Sequence, residues 1–402
     1  MLSSLTDKSV VLGVCGGIAA YKSVDLLRLI TKCGASVRVI LTENAGHFVG
    51  PMTFEALSGQ PVCQSLFEKG GNTSIKHIEW AQTADAVVIA PATANIIGKL
   101  ACGIADDALS TFMLAVTATR LICPSMNSQM YQNDAVQHNL NMLKNRGYQI
   151  VEPGSGLMAC GTTGPGRLPE PVEILDALIT SLTEKDLCGK HILVTAGPTR
   201  EHIDPVRFIS NPSSGKMGFA IAKAAAQRGA TVTLVSGPSE LPDPCNVHVI
   251  RVVSAQEMAN AVFAIFDQTD VVIKTAAVSD YRPKVRSDHK IKKGSDELTL
   301  TLEKTQDILK ELGKRKNDQV LVGFAAETQS LQAYAKQKLL EKRLDIIVGN
   351  LIGEKGAGFG SETNKVTLFY SNGASESLSL MPKDMVAGII LDRVAECLNQ
   401  KT

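Results

Sequence analysis

A chain of 402 residues is longer than one hydrophobic core usually supports, so its length favours two domains. Hydrophobic residues make up 44% and aromatic residues only 4%, which suits parallel sheets covered by helices and argues against an aromatic platform for single-stranded nucleic acid. The formal net charge of +1 provides no long-range field for a nucleic acid or an anionic membrane, so we expect small-molecule partners.

Cysteine usage and the amino terminus indicate a reducing compartment. The nine cysteines are scattered along the chain, and no two have the Cys-x-x-Cys spacing of a zinc or redox motif. The first apolar run has no basic flank and leads into glycines, and no apolar segment is long enough to span a bilayer. We therefore expect a cytoplasmic protein without a disulfide framework, a zinc cluster or a membrane anchor.

A strand, two glycines and a helix form the first predicted unit of structure. Val10–Val14 is an apolar strand, Gly16 and Gly17 form a turn, and a second strand follows the helix at Val37–Leu41. Backbone N–H groups at such a helix N-terminus favour a phosphate, although a glycine turn can also serve helix packing alone. The pattern is not the dinucleotide fingerprint, because no acidic residue ends the second strand.

Two further strands of the first half end at polar loops. The strand at 84–91 leads into Ala92–Asn95, and the strand at 120–123 leads into Pro124–Asn127. The polar run Asp106–Thr111 continues the first of these regions. Because ligands of parallel sheets collect outside the carboxyl ends of the strands, we expect a binding site at this edge.

The second half repeats this organisation after the polar run 183–186. Ile192–Val194 is an apolar strand, Gly215–Arg228 is a helix that follows a long loop, and Val232–Val235 is the next strand. The Gly-Lys pair that opens the helix is not a Walker motif, since Ser210 occupies the upstream glycine position and Met217 follows the lysine. A P-loop ATPase is therefore not indicated, and the chain is predicted to contain two α/β domains.

Five segments of the first half closely resemble the flavin-dependent cysteine decarboxylases. They are GGIAAYK (16–22), HIEWAQTAD (77–85), APATANIIGKLACGIADD (90–107), PSMNSQMY (124–131) and ACGTTGPGRL (159–168). Four segments of the second half resemble the phosphopantothenate–cysteine ligases: TAGPTREHIDPVRFISNPSSGKMG (195–218), AAVSDYRP (276–283), KIKK (290–293) and GFAAET (323–328). In this fixed order, they make the chain similar to the bacterial bifunctional decarboxylase/ligases of coenzyme A biosynthesis.

The resemblance implies a fold and a pair of reactions. We expect two Rossmann-like three-layer domains, a flavodoxin-like flavoprotein domain at 1–190 and a CTP-binding ligase domain at 191–402. The ligase would join 4′-phosphopantothenate to cysteine using CTP and Mg²⁺. The FMN-dependent decarboxylase would then convert 4′-phosphopantothenoylcysteine to 4′-phosphopantetheine. The resemblance also implies a homo-oligomer, with trimers formed through the flavin half and paired ligase halves.

The resemblance assigns site residues to the decarboxylase half. Cys160 is the matching proton donor, in a glycine-rich segment (154–167) that we expect to be flexible enough to close over a substrate. His77 matches the active-site histidine, and Asn127 would hydrogen-bond the substrate carboxylate. From residue type alone, these three would be a buried inert thiol, a surface or satisfied core histidine and a turn asparagine. The predicted FMN contacts are Gly16, Gly17, Ile18, Thr42, Ser110 and Thr111.

The resemblance assigns a second set to the ligase half. Asn211 would hold the acyl-cytidylate with Arg207 beside it, and Lys290 would serve nucleotidyl transfer. Lys338 and Lys342 are four residues apart, so on a helix their ammonium groups repel unless an anion lies between them. The predicted CTP contacts are Ala276, Asp280, Lys290, Asp307, Ile308, Phe324, Lys338 and Lys342, and Asp280 is also the candidate Mg²⁺ ligand.

Two positions depart from the family pattern, and two other classes of protein compete with this interpretation. Thr162 stands where the family usually has an acidic residue, and Thr305-Gln306 stands where it commonly has Asn-Pro. The strand–glycine–helix units would also suit a nicotinamide oxidoreductase, but the ribose-binding acid is missing. A non-enzymatic regulator on a flavoprotein scaffold is the other alternative, since folds outlive activities.

Overall fold

The computed structural model describes residues 5–65, 73–158, 161, 163–292, 298–327, 331–351, 358 and 360–401. The chain divides into two compact units, Met1–Thr183 and Glu184–Thr402. Both are α/β structures, so the predicted fold class is confirmed. Across the described residues, we find no helix with the length and apolar character needed to cross a membrane.

The first unit is built on a five-stranded sheet in which every pairing is parallel, with the order β2-β1-β3-β4-β5. This is the flavodoxin-like order of a doubly wound sheet. Its elements are β1 Ser9–Val14, α1 Lys22–Lys32, β2 Ser36–Leu41, α2 Pro51–Ser58, α3 Thr73–Thr83, β3 Ala86–Ala92, α4 Ala94–Cys102, α5 Ala108–Ala115, β4 Thr119–Pro124, α6 Ser128–Gln132, α7 Asp134–Asn145, β5 Gln149–Ile150, β6 Gly154–Leu157, β7 Thr163–Arg167 and α8 Pro171–Leu182.

Alternation along the buried strands produces the three layers of this unit. In β1, Leu12 faces a core formed with α1 and α8, whereas its neighbour Val11 faces a core formed with α4, α5 and α7. Both faces of the sheet are therefore covered, and its carboxyl edge is left for the connecting loops.

The glycine-rich segment at 154–167 contains regular structure that was not predicted. Its described residues form an antiparallel hairpin of β6 and β7. Met126 N donates to Gly166 O at 3.0 Å, so the hairpin is tied to the loop after β4. A side chain at residue 166 would place its Cβ 2.2 Å from Met126 O, which explains why this contact needs glycine.

The second unit contains an eight-stranded sheet with the order β12-β11-β8-β13-β16-β17-β19-β20. The first six strands are parallel in a Rossmann-type order, and β19 and β20 add antiparallel strands at one edge. The elements are β8 His191–Ala196, β9 Arg200–His202, β10 Phe208–Ser210, α9 Lys216–Gln227, β11 Thr231–Ser236, β12 Val247–Arg251, α10 Ala255–Ile265, β13 Val271–Lys274, β14 Tyr281–Pro283, β15 Leu302–Lys304, α11 Ile308–Arg315, β16 Val320–Glu327, α12 Leu331–Glu341, β17 Ile346–Leu351, β18 Thr363–Asn364, β19 Val366–Tyr370, β20 Ser375–Ser377, β21 Met381–Pro382 and α13 Lys383–Lys401.

Helices cover both faces of this sheet as well. Ile192 and Val194 pack with α9 and α13 on one face, and Leu193 packs with α10, α11 and α12 on the other. β8 and β13 lie side by side in the middle of the sheet. Their carboxyl ends are therefore the place where the loops of this unit converge.

Candidate functional site

The first cleft lies at the carboxyl edge of the sheet in the first unit and has a volume of about 510 Å³. Loops that follow three strands line it: Gly16–Ile18 after β1, Thr93 after β3 and Ser125–Asn127 after β4. The hairpin contributes Leu157, Gly166 and Arg167. The structure thus brings the two predicted polar loops and the glycine turn to one place, as expected for a doubly wound sheet.

Gly16 and Gly17 shape one end of the first cleft. A Cβ at residue 16 would lie 2.4 Å from Asn44 Cβ, so only glycine allows the loops after β1 and β2 to meet. A Cβ at residue 17 would find only Thr93 Cγ2, at 4.0 Å. Space for a ligand therefore lies directly beside the backbone of Gly17.

Asn127 caps a helix at the opposite wall. Its Oδ1 accepts a hydrogen bond from Gln129 N at 2.9 Å, and the residue precedes the short helix α6. Asn127 thus combines a capping role with a place in the lining of the first cleft, and its contact with the substrate stays a prediction.

Three predicted FMN contacts are engaged elsewhere. The Ser110 hydroxyl is fully buried and bonds the Asp107 carboxylate at 2.9 Å, within the capping box of α5. The hydroxyls of Thr42 and Thr111 donate to Val14 O and Ala105 O, both at 3.4 Å. Among the described residues, the lining of the first cleft does not include these three, and their contact with FMN stays a prediction.

Two predicted catalytic residues of this half lack a described side chain. His77 belongs to α3, but its side chain lies outside the described residues. Cys160 and Thr162 lie outside them altogether, in the sequence between β6 and β7.

The second cleft lies at the carboxyl ends of β8 and β13 in the second unit and has a volume of about 360 Å³. The segment 211–218, which ends in the first turn of α9, forms one wall. A Cβ at residue 218 would lie 2.5 Å from both Ala196 Cβ and Thr275 Oγ1. Gly218 therefore lets the N-terminus of α9, where backbone N–H groups attract anions, approach the sheet edge.

Asn211 lines the second cleft with its side chain oriented by the opposite wall. Its Nδ2 donates to Ala277 O at 3.2 Å and to Val278 O at 3.3 Å. The amide nitrogen is thereby engaged, and Oδ1 is the atom that Asn211 can present to a ligand.

Lysines dominate the charge of the second cleft. Lys216, Lys274, Lys338 and Lys383 line it, together with the carboxylate of Asp280. Lys216 pairs with Glu362. Lys383 donates to Gly358 O at 3.2 Å and Ser361 O at 2.6 Å, and burial lowers its pKa. The excess of cations suits a polyanionic ligand.

The third cleft, of about 380 Å³, shares Lys274, Val278 and Asp280 with the second. Asp307 caps α11 by accepting from Lys310 N at 3.1 Å, and Lys342 Nζ lies 2.8 Å from Asp307 Oδ2. Burial alone would raise the pKa of Asp307, but its pairing with Lys342 holds that pKa below its usual value. Lys342 lies one residue beyond the end of α12, and the anion that pairs with it is a carboxylate of the protein.

The departure at Thr305-Gln306 has a structural consequence beside this cleft. Thr305 Oγ1 donates to Ser279 O at 2.6 Å, and Thr305 N donates to Asp280 O at 2.9 Å. Thr305 therefore fixes the backbone next to the candidate metal ligand Asp280.

Arg207 and Lys290 lie in neither cleft of the second unit, as far as the described lining shows. Arg207 Nη1 bonds Asp204 Oδ2 at 3.1 Å and Ile291 O at 3.2 Å, and Asp204 Oδ2 accepts from Ile291 N. Burial alone would raise the pKa of Asp204, but donors from Val206, Arg207 and Ile291 hold it low. Asp204 thus anchors the segment that carries the exposed Lys290 beside Arg207.

Apart from Lys290, the predicted CTP contacts divide between the second and third clefts. Ala276, Phe324 and Lys338 line the second, Asp307, Ile308 and Lys342 line the third, and Asp280 lines both. No group of three or more His, Cys, Asp or Glu side chains that could hold a metal occurs in the described ranges. Since Mg²⁺ usually binds one or two carboxylates together with substrate phosphates, Asp280 fits such a site without further protein ligands.

Comparisons with known proteins match the two units of the chain to two separate families. Residues 2–183 match the family described as "Flavoprotein", and residues 187–398 match "DNA/pantothenate metabolism flavoprotein C-terminal domain". The chain is 49% identical over 400 residues to the coenzyme A biosynthesis bifunctional protein CoaBC of Bacillus subtilis (strain 168), which covers 98% of both chains. The chain belongs to the family of bifunctional coenzyme A biosynthesis proteins.

Other members of this family are nearly as similar. The protein of the same name from Escherichia coli (strain K12) is 45% identical over 403 residues, which is 99% of both chains. A crystal structure of the C-terminal domain of a coenzyme A biosynthesis bifunctional protein CoaBC is 46% identical and covers 54% of this chain and 100% of that chain, with a TM-score of 0.47. The predicted resemblance to bifunctional enzymes of coenzyme A biosynthesis is confirmed.

Sequence reasoning missed three residues of this family member's second unit. Lys274 lines the second and third clefts. A charged residue at the end of the apolar strand Val271–Lys274 is the sequence feature that could have identified it. Asp204 lies within the segment 195–218, which resembles the ligases, but the resemblance assigned no role to this residue. Asn350 lines the second cleft, and within the described structure its buried Oδ1 has no hydrogen-bond partner, which no local pattern could reveal.

Proposed function

We propose that the second unit couples 4′-phosphopantothenate to cysteine with CTP, and that the first unit decarboxylates the product, 4′-phosphopantothenoylcysteine, to 4′-phosphopantetheine with FMN. One observation carries the proposal: the full-length similarity to a bifunctional coenzyme A biosynthesis protein covers 98% of both chains. Each unit also has its own cleft at the carboxyl edge of its sheet, which supports two separate reactions.

The ligase reaction needs an activated carboxyl group. The carboxylate oxygen of 4′-phosphopantothenate attacks the α-phosphorus of CTP, and pyrophosphate leaves, so that an acyl-cytidylate forms. The cysteine amine then attacks the acyl carbon, and CMP leaves with formation of the amide and loss of one proton. Bound Mg²⁺ would neutralise charge on the phosphates.

The second and third clefts supply groups for both steps. The lysine-rich wall and the N-terminus of α9 suit the triphosphate, with Asp280 as the carboxylate for Mg²⁺. Asn211 presents Oδ1 to the activated acyl group or to the incoming amine, because its Nδ2 is engaged by Ala277 O and Val278 O. Arg207 and Lys290 would join this site from the segment anchored by Asp204.

FMN fits the first cleft. The volume of about 510 Å³ lies in the range of small-ligand sites, and the open space beside Gly17 admits a phosphate to the backbone turn. When bound, FMN accepts and returns the two electrons that make loss of carbon dioxide from a cysteine carboxylate feasible. Gly16, Gly17 and Ile18 would hold the cofactor.

The protein groups of this reaction orient the substrate and move protons. Asn127 would hydrogen-bond the substrate carboxylate at the wall of the first cleft. Cys160 would donate the proton that completes the product, and His77 would assist deprotonation of the substrate thiol. We also propose a cytoplasmic homo-oligomer, with trimers formed by flavin halves and paired ligase halves.

The test is one assay with purified protein. The protein is expected to show flavin absorbance and, with 4′-phosphopantothenate, cysteine and CTP, to release pyrophosphate, CMP and carbon dioxide and to form 4′-phosphopantetheine. ATP in place of CTP serves as the nucleotide control. A colourless protein without CTP-dependent pyrophosphate release would refute the proposal.

A further inference from the structure

Lys274 occupies an unusual position for a charged side chain. It is the last residue of β13, in the middle of the eight-stranded sheet, and its register partners are Thr195 and Gly323. Along this strand, Val272 faces the apolar core of α10, α11 and α12, and strand alternation places Lys274 on the same side. An ammonium group thus stands where the pattern of the strand predicts an apolar side chain.

The ammonium of Lys274 makes few contacts with the protein. Among the described residues, its one hydrogen bond goes to Ala276 O at 3.3 Å, and it makes no ion pair. A lysine ammonium has three N–H donors, so two donor directions are left for a ligand. Its neighbours in the clefts differ, because Lys216 pairs with Glu362 and Lys342 pairs with Asp307.

The cost of this arrangement indicates a function. Burial, with further contributions from Lys342 and Lys338 against those of Asp307 and Asp280, lowers the pKa of Lys274 to about 8. Lys274 is half-buried, and a half-buried cation without a paired anion costs stability; features that cost stability in this way occur at functional sites. The shared wall of the second and third clefts supplies the site, since Lys274 lines both.

We propose that Lys274 is a substrate-binding residue of the ligase half, and that its ammonium group binds a phosphate oxygen of the nucleotide. The inference rests on the proposed function. The nucleotide is favoured over the phosphate of the acyl substrate because Ala276, Asp280 and Phe324, which the family resemblance assigns to CTP, line the same cleft as Lys274. The bound phosphate would supply the missing anion and would favour the protonated, positively charged form of Lys274.

The test compares Lys274→Met with Lys336→Met. Methionine replaces the unbranched stem of the lysine without its ammonium group and suits the apolar surroundings, and Lys336 is an exposed lysine of α12 that lines neither cleft. Loss of a charge-assisted hydrogen bond should weaken CTP binding and raise the KM for CTP about 10- to 100-fold in Lys274→Met, with the KM for 4′-phosphopantothenate changed less than about twofold. Lys336→Met should match the wild type.

Two further readouts separate binding from a structural role. Lys274→Met should unfold at the same or a higher temperature, because it removes a half-buried charge that has no ion-pair partner among the described residues. In the wild type, the KM for CTP should rise between about pH 8 and pH 9.5 as the ammonium loses its proton, and Lys274→Met should lack this rise. The charged groups that face Lys274, namely Asp280, Asp307, Lys338 and Lys342, are unchanged in the variant.

The outcomes distinguish this inference from the proposed function. A KM for CTP within twofold of the control, a rise confined to the KM for 4′-phosphopantothenate, or a lowered unfolding temperature with unchanged CTP binding would each overturn the role of Lys274. Equilibrium binding of CTP to the full chain gives the same comparison without turnover. If the wild type binds CTP more tightly than Lys274→Met but releases no pyrophosphate, the proposed reaction fails and the role of Lys274 stands.

Discussion

Asp107 offers a test of how the motif GIADD works. Its Oδ1 accepts from Ser110 N at 2.8 Å and from Ser110 Oγ at 2.9 Å, and its Oδ2 accepts from Lys99 Nζ at 2.7 Å. The residue is the N-cap of α5 and joins that helix to α4. We therefore expect Asp107→Ala to destabilise the first unit.

The size of the effect follows from these contacts. Loss of an N-cap acceptor costs about 1 kcal/mol. The buried Ser110 hydroxyl loses its carboxylate acceptor at 2.9 Å and keeps only Asp107 O at 3.2 Å, which costs up to about 1 kcal/mol more, and the partly exposed ion pair with Lys99 adds less than about 1 kcal/mol. Because one carboxylate serves all three contacts, we expect about 2 kcal/mol, or a fall of about 4–8 °C in the unfolding temperature of a domain of this size.

Differential scanning calorimetry of the full chain would measure the fall. The fall in unfolding temperature for Asp107→Asn should be less than half of that for Asp107→Ala, because asparagine keeps a capping oxygen and loses only the charge. Asp106→Ala is the matched control: Asp106 contacts the same Lys99 at 2.6 Å, but its side chain is 59% exposed, and we expect a fall of less than about 2 °C. Equal falls for Asp106→Ala and Asp107→Ala would refute the capping argument.

The pH dependence of the same variants provides a second check. Burial alone would raise the pKa of Asp107, but donors from Lys99 and Ser110 hold it below its usual value of 3.8. A carboxyl group with a lowered pKa contributes stability above that usual value and loses it as pH falls through the folded-state pKa. The difference in stability between wild type and Asp107→Asn should therefore be constant from pH 5 to 7 and shrink below about pH 3.8.

Three further predictions concern the two reactions and the fold that holds them. Gly218→Val should destabilise the second unit by about 1–3 kcal/mol in calorimetry, because its Cβ would lie 2.5 Å from Ala196 Cβ. Asn211→Asp should release pyrophosphate from CTP but stall cysteine coupling, since a second anion would face the activated acyl group; assays of pyrophosphate and amide formation would show this. Cys160→Ser should release carbon dioxide but form no 4′-phosphopantetheine, which mass spectrometry of the product would show.

Each of these predictions has an outcome that contradicts it. Gly388 of α13 has no atom within 4 Å of its added Cβ, so Gly388→Ala should keep or raise the unfolding temperature, and a fall equal to that of Gly218→Val would refute the packing argument. Normal amide formation by Asn211→Asp would remove Asn211 from the coupling step. Normal product from Cys160→Ser would remove Cys160 as the proton donor.

Local patterns were sufficient to predict the strands and the helix that open the second half. The helix expected at Gly215–Arg228 is α9, Lys216–Gln227, and the strand expected at Val232–Val235 is β11, Thr231–Ser236. Buried parallel strands are continuous apolar runs bounded by glycines and polar residues, so their positions follow from neighbours in the chain. The hairpin at 154–167 was not predicted, because it depends on the contact of Gly166 with Met126, which is distant in the sequence.

The candidate sites show the same difference between what neighbours in the chain determine and what distant contacts determine. The general position of both binding edges was predictable, because the carboxyl ends of parallel strands meet on one side of a sheet. The hydrogen bonds that each polar side chain makes within the protein were not predictable from the sequence. The structure adds that the Ser110 hydroxyl takes part in a helix cap and that Lys290 lies on an exposed segment beside Arg207, while their contacts with FMN and CTP stay predictions.

The amino-acid sequence by itself determined the two α/β domains, their order, the motifs of a bifunctional coenzyme A biosynthesis enzyme and the strand ends that carry its polar loops. Only the tertiary structure decided which polar groups are already used by the protein and which face a cleft. Asp307 is paired with Lys342, whereas Lys274 has donors left for a ligand. The physical reason is that apolar periodicity is a local property, while hydrogen-bond satisfaction and burial depend on residues that meet only when the chain is folded.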